Sequence, residues 1–113
     1  MNRKLQELVQ NLLAGTRANA FQWTETPEPG VYRLMLKNGL VRIYRLSPTS
    51  VGDNFVCCTV LNSDGNVLHD VQTLRRDGGP LVDLYDLVDG SFQEGDMDEL
   101  LAEVRSKLAP ARS

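Results

Sequence analysis

The stretch VYRLMLKNGLVRIYRL, from Val31 to Leu46, places two apolar-rich runs around an Asn-Gly pair. Asn-Gly between alternating runs is the strongest short-range hairpin signal, because a type I′ turn needs positive φ at both central residues. A two-residue loop at Asn38-Gly39 would set Leu34 opposite Ile43. We therefore expect an antiparallel hairpin here, with its register fixed by that turn.

Alternation along this hairpin predicts two faces of different chemistry. The inward face carries Tyr32, Leu34, Leu36, Val41 and Ile43. The outward face carries Arg33, Met35, Lys37, Arg42 and Tyr44. The stretch holds four basic residues and no acidic one, and alternation alone accounts for most of them as a solvated sheet face. The same pattern also suits a contact surface, for which the candidate binding residues are Arg33, Met35, Arg42 and Tyr44.

The regions on either side of this hairpin predict one helix and three further strands. Leucines and a valine at helical spacing in RKLQELVQNLLAG predict an amphipathic N-terminal helix, which Gly15 would end. Phe21 and Trp23 suggest a short strand, and Trp23 suits either the core or an interface. The runs NFVCCTVL and VLHDVQTL predict a second hairpin. A two-residue loop in it would set His69 opposite Val60, whereas a bulged loop would shift the pairing by one.

The C-terminal part of the chain predicts two helices separated at Gly90. The first would begin at Pro80, which suits the first turn of a helix. The second would begin at an N-cap, Asp96, with Glu99 three residues later as in a capping box. Its apolar stripe, predicted to be buried, is Met97, Leu100, Leu101, Val104 and Leu108.

These elements predict an α+β fold class within a single domain, residues 1–113. Tight turns between strands imply an antiparallel β-meander of about five strands, with one face covered by the N-terminal helix and two C-terminal helices. Apolar residues make up 42% of the chain and charged residues 24%, an ordinary mixture for a protein that forms its own core.

Charge is distributed unevenly along the chain. Residues 1–76 hold nine Lys or Arg and six Asp or Glu, while residues 77–113 hold three and nine. The formal net charge of −3 argues against generic binding to nucleic acid. A basic sheet packed beside acidic helices explains the asymmetry, and an acidic C-terminal contact surface is the functional alternative.

Residue types that are suited to catalysis or metal binding are sparse in this sequence. His69 is the single histidine, and the adjacent Cys57 and Cys58 point to opposite faces of a strand, so no disulfide between them is expected. These residues lack the spacing of zinc ligands. Asp83, Asp86 and Asp89 on one helical stripe more often form a solvated face than a cation site. We predict that the protein is not an enzyme and binds no cofactor and no metal.

The sequence also predicts a location. The N-terminal MNRKLQELVQNLLAG lacks the continuous apolar core of a signal peptide, and no apolar run reaches the length of a membrane span. Two cysteines without a disulfide framework favour a reducing compartment. We expect a cytoplasmic protein with no membrane association.

The chain contains the segments LLAGTRANAFQWTET, the Val31–Leu46 hairpin, VLNSDGNVL, PLVDLYDLV and DELLAEVRSKL. Together these segments resemble a group of small uncharacterised bacterial α+β domains. The resemblance implies the helix, meander and C-terminal helices already predicted, and carries no activity. Small secretion chaperones and toxin-immunity proteins are similar in size and acidity, an analogy of fold type alone.

The function that these features favour is a non-catalytic, cytoplasmic protein-binding module that binds a protein partner or forms a homodimer. The alternative from a different class is a nucleic-acid-binding domain that uses the basic outer face of residues 31–46. A small-molecule-binding or enzymatic domain is the third hypothesis.

Overall fold

The computed structural model describes residues 3–46 and 54–108. It has two α-helices and five strands in the order α1, β1 to β5, α2, with a short 3-10 helix, Arg75–Asp77, between β5 and α2. The elements are α1 (Arg3–Arg17), β1 (Thr24–Glu25), β2 (Val31–Leu36), β3 (Gly39–Leu46), β4 (Phe55–Asn62), β5 (Val67–Leu74) and α2 (Pro80–Leu108). The strands form one antiparallel sheet in sequential order, so the α+β fold class and the meander are confirmed.

Helix α1 packs one apolar stripe into the core, but it does not end at Gly15. The helix continues to Arg17, and Asn19 adopts a left-handed conformation with φ of 58° after its last turn. Glycine is required at position 15 for space, because a Cβ there would lie 2.2 Å from the Phe21 ring. The sequence therefore identified the stripe correctly and assigned the wrong residue to the helix end.

The β2–β3 hairpin forms with a register two residues away from the predicted one. Leu36 pairs with Gly39, so the loop is Lys37-Asn38, and Leu34 faces Val41 instead of Ile43. Neither Asn38 nor Gly39 has positive φ, so the predicted type I′ turn was wrong.

The reason for this register lies in the neighbouring strand β4. A Cβ on Gly39 would lie 2.3 Å from the carbonyl oxygen of Leu61, so glycine permits close approach between β3 and β4. A shift of two residues preserves which side chains share a face. The predicted inward and outward sets are therefore confirmed, except that Leu36 at the hairpin tip is 41% exposed.

The register of the β4–β5 hairpin contains elements of both alternatives. His69 lies opposite Val60, as a two-residue loop would require, yet Leu61 pairs with Val67 and leaves a bulge beside the turn. The turn itself is held by the Asn62 side chain, whose Oδ1 accepts hydrogen bonds from the backbone N–H groups of Asp64 and Asn66.

The core lies between the inner sheet face and the two helices. Its buried residues are Leu5, Val9, Leu12, Leu13, Trp23, Tyr32, Leu34, Val41, Ile43, Val56, Cys58, Leu81, Val82, Leu84, Tyr85 and Val88. Trp23 is thus a core residue, and its indole Nε1 donates a hydrogen bond to Thr16 Oγ1 at 3.0 Å. The buried Tyr85 donates its hydroxyl proton to the Gly30 carbonyl at 2.7 Å, which ties α2 to the turn before β2.

Helix α2 begins at Pro80 as predicted, but it is one continuous helix and not two. It passes through Gly90, and Asp96 lies inside it instead of capping its start. Glycine lacks only side-chain packing and backbone stiffness, so a helix can run through it at a cost of about 1 kcal/mol. We call residues 80–92 the proximal half of α2 and residues 93–108 the distal half.

The distal half extends away from the sheet. Every residue from Gln93 to Leu108 is exposed, and the longest dimension of the molecule is 62 Å. The prediction that the stripe from Met97 to Leu108 is buried was therefore wrong.

Candidate functional site

The four residues that the sequence nominated for binding lie together on the outer face of β2 and β3. Arg33 pairs directly with Arg42, so two guanidinium groups occupy neighbouring positions on that face. The Arg42 guanidinium carbon lies 5.6 Å from the centroid of the Tyr44 ring, within the range of a cation–π contact. Met35 is 66% exposed near the hairpin tip. The geometry thus brings all four residues onto one surface.

Tyr44 is less available for contact than its position suggests. Its side chain is half-buried, and burial raises the pKa of its hydroxyl, while hydrogen bonding with Thr59 opposes that rise. Thr59 in turn donates a hydrogen bond to Asp70 Oδ1 at 3.2 Å. Tyr44 on β3 is thus connected to Thr59 on β4 and, through Thr59, to Asp70 on β5. Because Arg42 already lies against the Tyr44 ring, that ring is not free to stack on a ligand.

The tip of the same face carries a shallow apolar recess of about 410 Å³. Its lining includes Met35, Leu36, Leu40 and Leu61, together with the side chain of Lys37. Leu61 belongs to β4, so sequence analysis of the hairpin alone could not have added it to the surface.

Five of the eleven exposed large apolar residues in the described part of the chain lie elsewhere, on the distal half of α2. We define the distal stripe as Met97, Leu100, Leu101, Val104 and Leu108, which are 45–68% exposed. Residues spaced three and four apart lie on one side of a helix, so these five side chains form a continuous strip. The helical spacing of these five residues was recognised in the sequence. The prediction was wrong only in expecting the stripe to be buried.

Acidic side chains of the proximal half have structural partners. Asp86 forms an ion pair with Arg75, whose Nη2 lies 2.7 Å from Oδ1. Asp89 accepts hydrogen bonds from the Tyr32 hydroxyl and from Gln93 Nε2. Desolvation, followed by the Asp89 hydrogen bond, raises the pKa of Tyr32 well above its ordinary value. Two of the three carboxylates weighed as a cation site, Asp86 and Asp89, therefore have partners within the fold.

The thiols and the histidine do not form a catalytic arrangement. Cys57 and Cys58 are free and buried, and burial raises the pKa of the Cys58 thiol to about 12. A thiol with that pKa is almost fully protonated at neutral pH and is a poor nucleophile. His69 is exposed on the edge strand β5. Within residues 3–46 and 54–108, no group of three or more His, Cys, Asp or Glu side chains is arranged to hold a metal ion.

One further recess, of about 340 Å³, lies where the end of α1 meets α2. Phe21, Trp23 and Phe92 contribute apolar surface to it, and Arg17 and Asn19 contribute polar groups. Its aromatic lining is explained by core packing, since Trp23 is a core residue bonded to Thr16 of α1. Phe21 and Phe92 also pack against the core.

Comparison with known protein families, with curated proteins and with solved structures finds no match to this chain. Neither helix of the described residues combines the length and the hydropathy that crossing a membrane requires.

Proposed function

We propose that this chain is a non-catalytic, cytoplasmic protein-binding module and that the distal stripe of α2 is its binding surface. The observation that supports this proposal is the exposure of five large apolar side chains on a helix segment that the rest of the described chain does not cover. Contiguous exposed apolar surface of this kind is typical of interaction sites. Its shape suits another polypeptide chain that presents an apolar helical surface.

The cost of an uncovered distal half supports the same proposal. Most helix stability in proteins comes from packing of an apolar face, and the distal stripe is exposed in the described part of the chain. The distal half also contains Gly95, which disfavours the helix by about 1 kcal/mol relative to alanine. A partner that covers the distal stripe would supply the missing packing.

Site-specific photocrosslinking in cells tests this function. A photoreactive amino acid replaces Leu101 in the distal stripe, and a matched variant carries it at Ser106, on the opposite side of the helix. We expect a defined protein adduct, with this chain or with another, from position 101 and little from position 106. Equal labelling from both positions, or no adduct from position 101, would contradict the proposal.

A second candidate function is nucleic-acid binding by the outer face of β2 and β3, favoured by the direct pairing of Arg33 with Arg42. Two neighbouring guanidinium groups attract phosphate, and such binding weakens steeply as salt rises. The charge-reversal variant Arg33→Glu/Arg42→Glu should then abolish a mobility shift with single-stranded nucleic acid. The absence of any shift for the unmodified protein at low salt would remove this candidate.

A further inference from the structure

Most of the distal stripe points away from the core-packing face of α2, although Leu100, five full turns from the buried Val82, shares the direction of that residue. Val88 is buried in the core, and Met97 is 58% exposed. The nine residues between their positions correspond to about two and a half helical turns, which is half a revolution. Val104 is sixteen residues from Val88, a rotation of about 160° after full turns are removed. It therefore points within about 20° of the direction opposite to Val88. A partner on the distal stripe would therefore approach from the side away from the chain's own sheet.

Charge is segregated along the distal half. Five acidic residues precede two basic ones, in the order Glu94, Asp96, Asp98, Glu99, Glu103, Arg105 and Lys107. Two such segments side by side in parallel would place acidic residues level with acidic residues. The antiparallel arrangement places the basic end of each against the acidic part of the other, and opposite charges across helix pairs set orientation in this way.

An antiparallel pair whose stripes overlap from end to end has its two-fold axis level with the midpoint between Leu101 and Val104. Met97 then lies against Leu108 of the second copy, and Leu101 against Val104. These two pairs give four of the five side chains of the distal stripe an apolar partner, and Leu100 lies about one residue along the axis from Val104 of the second copy, as in the seam of a coiled coil.

The same arrangement pairs charges beside the seam. Asp98 and Arg105 are seven residues apart, nearly two turns, so they lie on the same flank of the stripe. A two-fold axis perpendicular to the helices brings that flank against itself. Arg105 of the second copy then lies about two residues, or roughly 3 Å along the axis, from Asp98. Asp96 and Lys107 have the same relation on the other flank.

We propose that a second copy of this chain covers the distal stripe in an antiparallel, two-fold symmetric helix pair. The inference rests on the proposed function, since it names the partner of the same surface. In one and the same register, the distal stripe matches a second distal stripe and the charges beside it match their counterparts. This self-complementarity favours a copy of this chain over an unrelated partner.

Sedimentation equilibrium from about 1 µM to about 1 mM protein tests the self-association. We expect a reversible monomer–dimer equilibrium. Either single reversal, Asp98→Arg or Arg105→Asp, should raise the dissociation constant about tenfold, because each changes two symmetric ion pairs. The double variant Asp98→Arg/Arg105→Asp should restore it, and the control Ser106→Glu on the far side of the helix should leave it unchanged.

Disulfide trapping tests the orientation. Met97→Cys protein mixed with Leu108→Cys protein should form a mixed cross-link in the antiparallel pair. Met97→Cys alone should not cross-link to itself, since its two copies would lie about 16 Å apart along the axis. The native thiols, both buried, serve as the unreactive background.

The outcomes separate this inference from the proposed function. Monomer at every concentration, self-linking of Met97→Cys, or no recovery in the double charge variant would overturn the antiparallel self-pairing. Monomer combined with a foreign protein adduct from position 101 in cells would reject the second copy and still support a protein-binding surface.

Discussion

The two halves of α2 have equally apolar stripes and opposite environments. In the proximal half Leu81, Val82, Leu84, Tyr85 and Val88 are buried, whereas the five residues of the distal stripe are exposed. Hydrophobicity does not distinguish them. The difference lies in position along the helix, because the proximal half packs on the sheet whereas the distal half extends beyond it and is exposed at every residue from Gln93 to Leu108. How far a helix runs past its own sheet thus decides which part of its apolar stripe is buried in the core and which part is left exposed for an interface.

The largest expected effect on stability comes from truncating one buried side chain in the proximal half. Leu84 is fully buried, and Leu84→Ala should lower the free energy of unfolding by about 2–5 kcal/mol, because it removes buried carbons and leaves a cavity. Urea denaturation followed by circular dichroism measures the change. The matched substitution Leu101→Ala, measured at a concentration at which sedimentation finds only monomer, should change the same quantity by no more than about 0.5 kcal/mol. Similar losses at the two positions would mean that the distal stripe packs against its own chain.

A smaller effect is expected from the hydroxyl that anchors the proximal half. Tyr85→Phe removes the hydrogen bond to the Gly30 carbonyl and leaves that acceptor without its partner, which should cost about 1–2 kcal/mol of unfolding free energy. Gln93→Ala is the control, since its hydrogen bond to Asp89 lies on the exposed side of the helix and should be worth about 0.5 kcal/mol or less. Equal effects of the two substitutions would argue against a special role for Tyr85 in fixing α2.

The smallest expected effect has the opposite sign and belongs to the distal half. A Cβ added at Gly95 meets nothing within 4 Å, so Gly95→Ala should stabilise the helix by about 1 kcal/mol without touching the distal stripe. Slower amide hydrogen exchange in residues 93–108 measures the gain. Gly15→Ala provides the contrast: the new methyl would collide with Phe21, and the protein should lose stability. A loss of stability at both positions would show that Gly95 serves a packing contact.

The sequence predicted the fold class and the faces of the hairpin because alternation determines both. The register prediction failed because it assigned Gly39 to the turn, whereas the glycine is needed where β3 approaches Leu61. The faces survived that error, since a shift of two residues keeps inward side chains inward. Which residue of a strand lies against a neighbouring backbone depends on long-range packing that local sequence does not record.

The candidate surfaces were predicted to different extents. Alternation correctly placed Arg33, Met35, Arg42 and Tyr44 on the outer face, but it could not show that Arg42 covers the Tyr44 ring. Periodicity located the distal stripe and wrongly buried it, because Gly90 was interpreted as a helix end. Once α2 is continuous, its distal half runs beyond the sheet, and counting turns from Val88 places Met97 on the side of the helix away from the core.

The hydrogen bonds of Tyr32 and Tyr85 have a mechanical consequence for assemblies built on α2. Both join the proximal half to the β2 region, one through Asp89 and one through Gly30, within a few residues of the point where the helix leaves the sheet. From Tyr85 to Leu108 the helix is a lever arm of about 35 Å, so a tilt of about 10° at its base would move its tip by roughly 6 Å. Two anchors one helical turn apart resist that tilt, and so they set the angle and spacing at which any attached body is held.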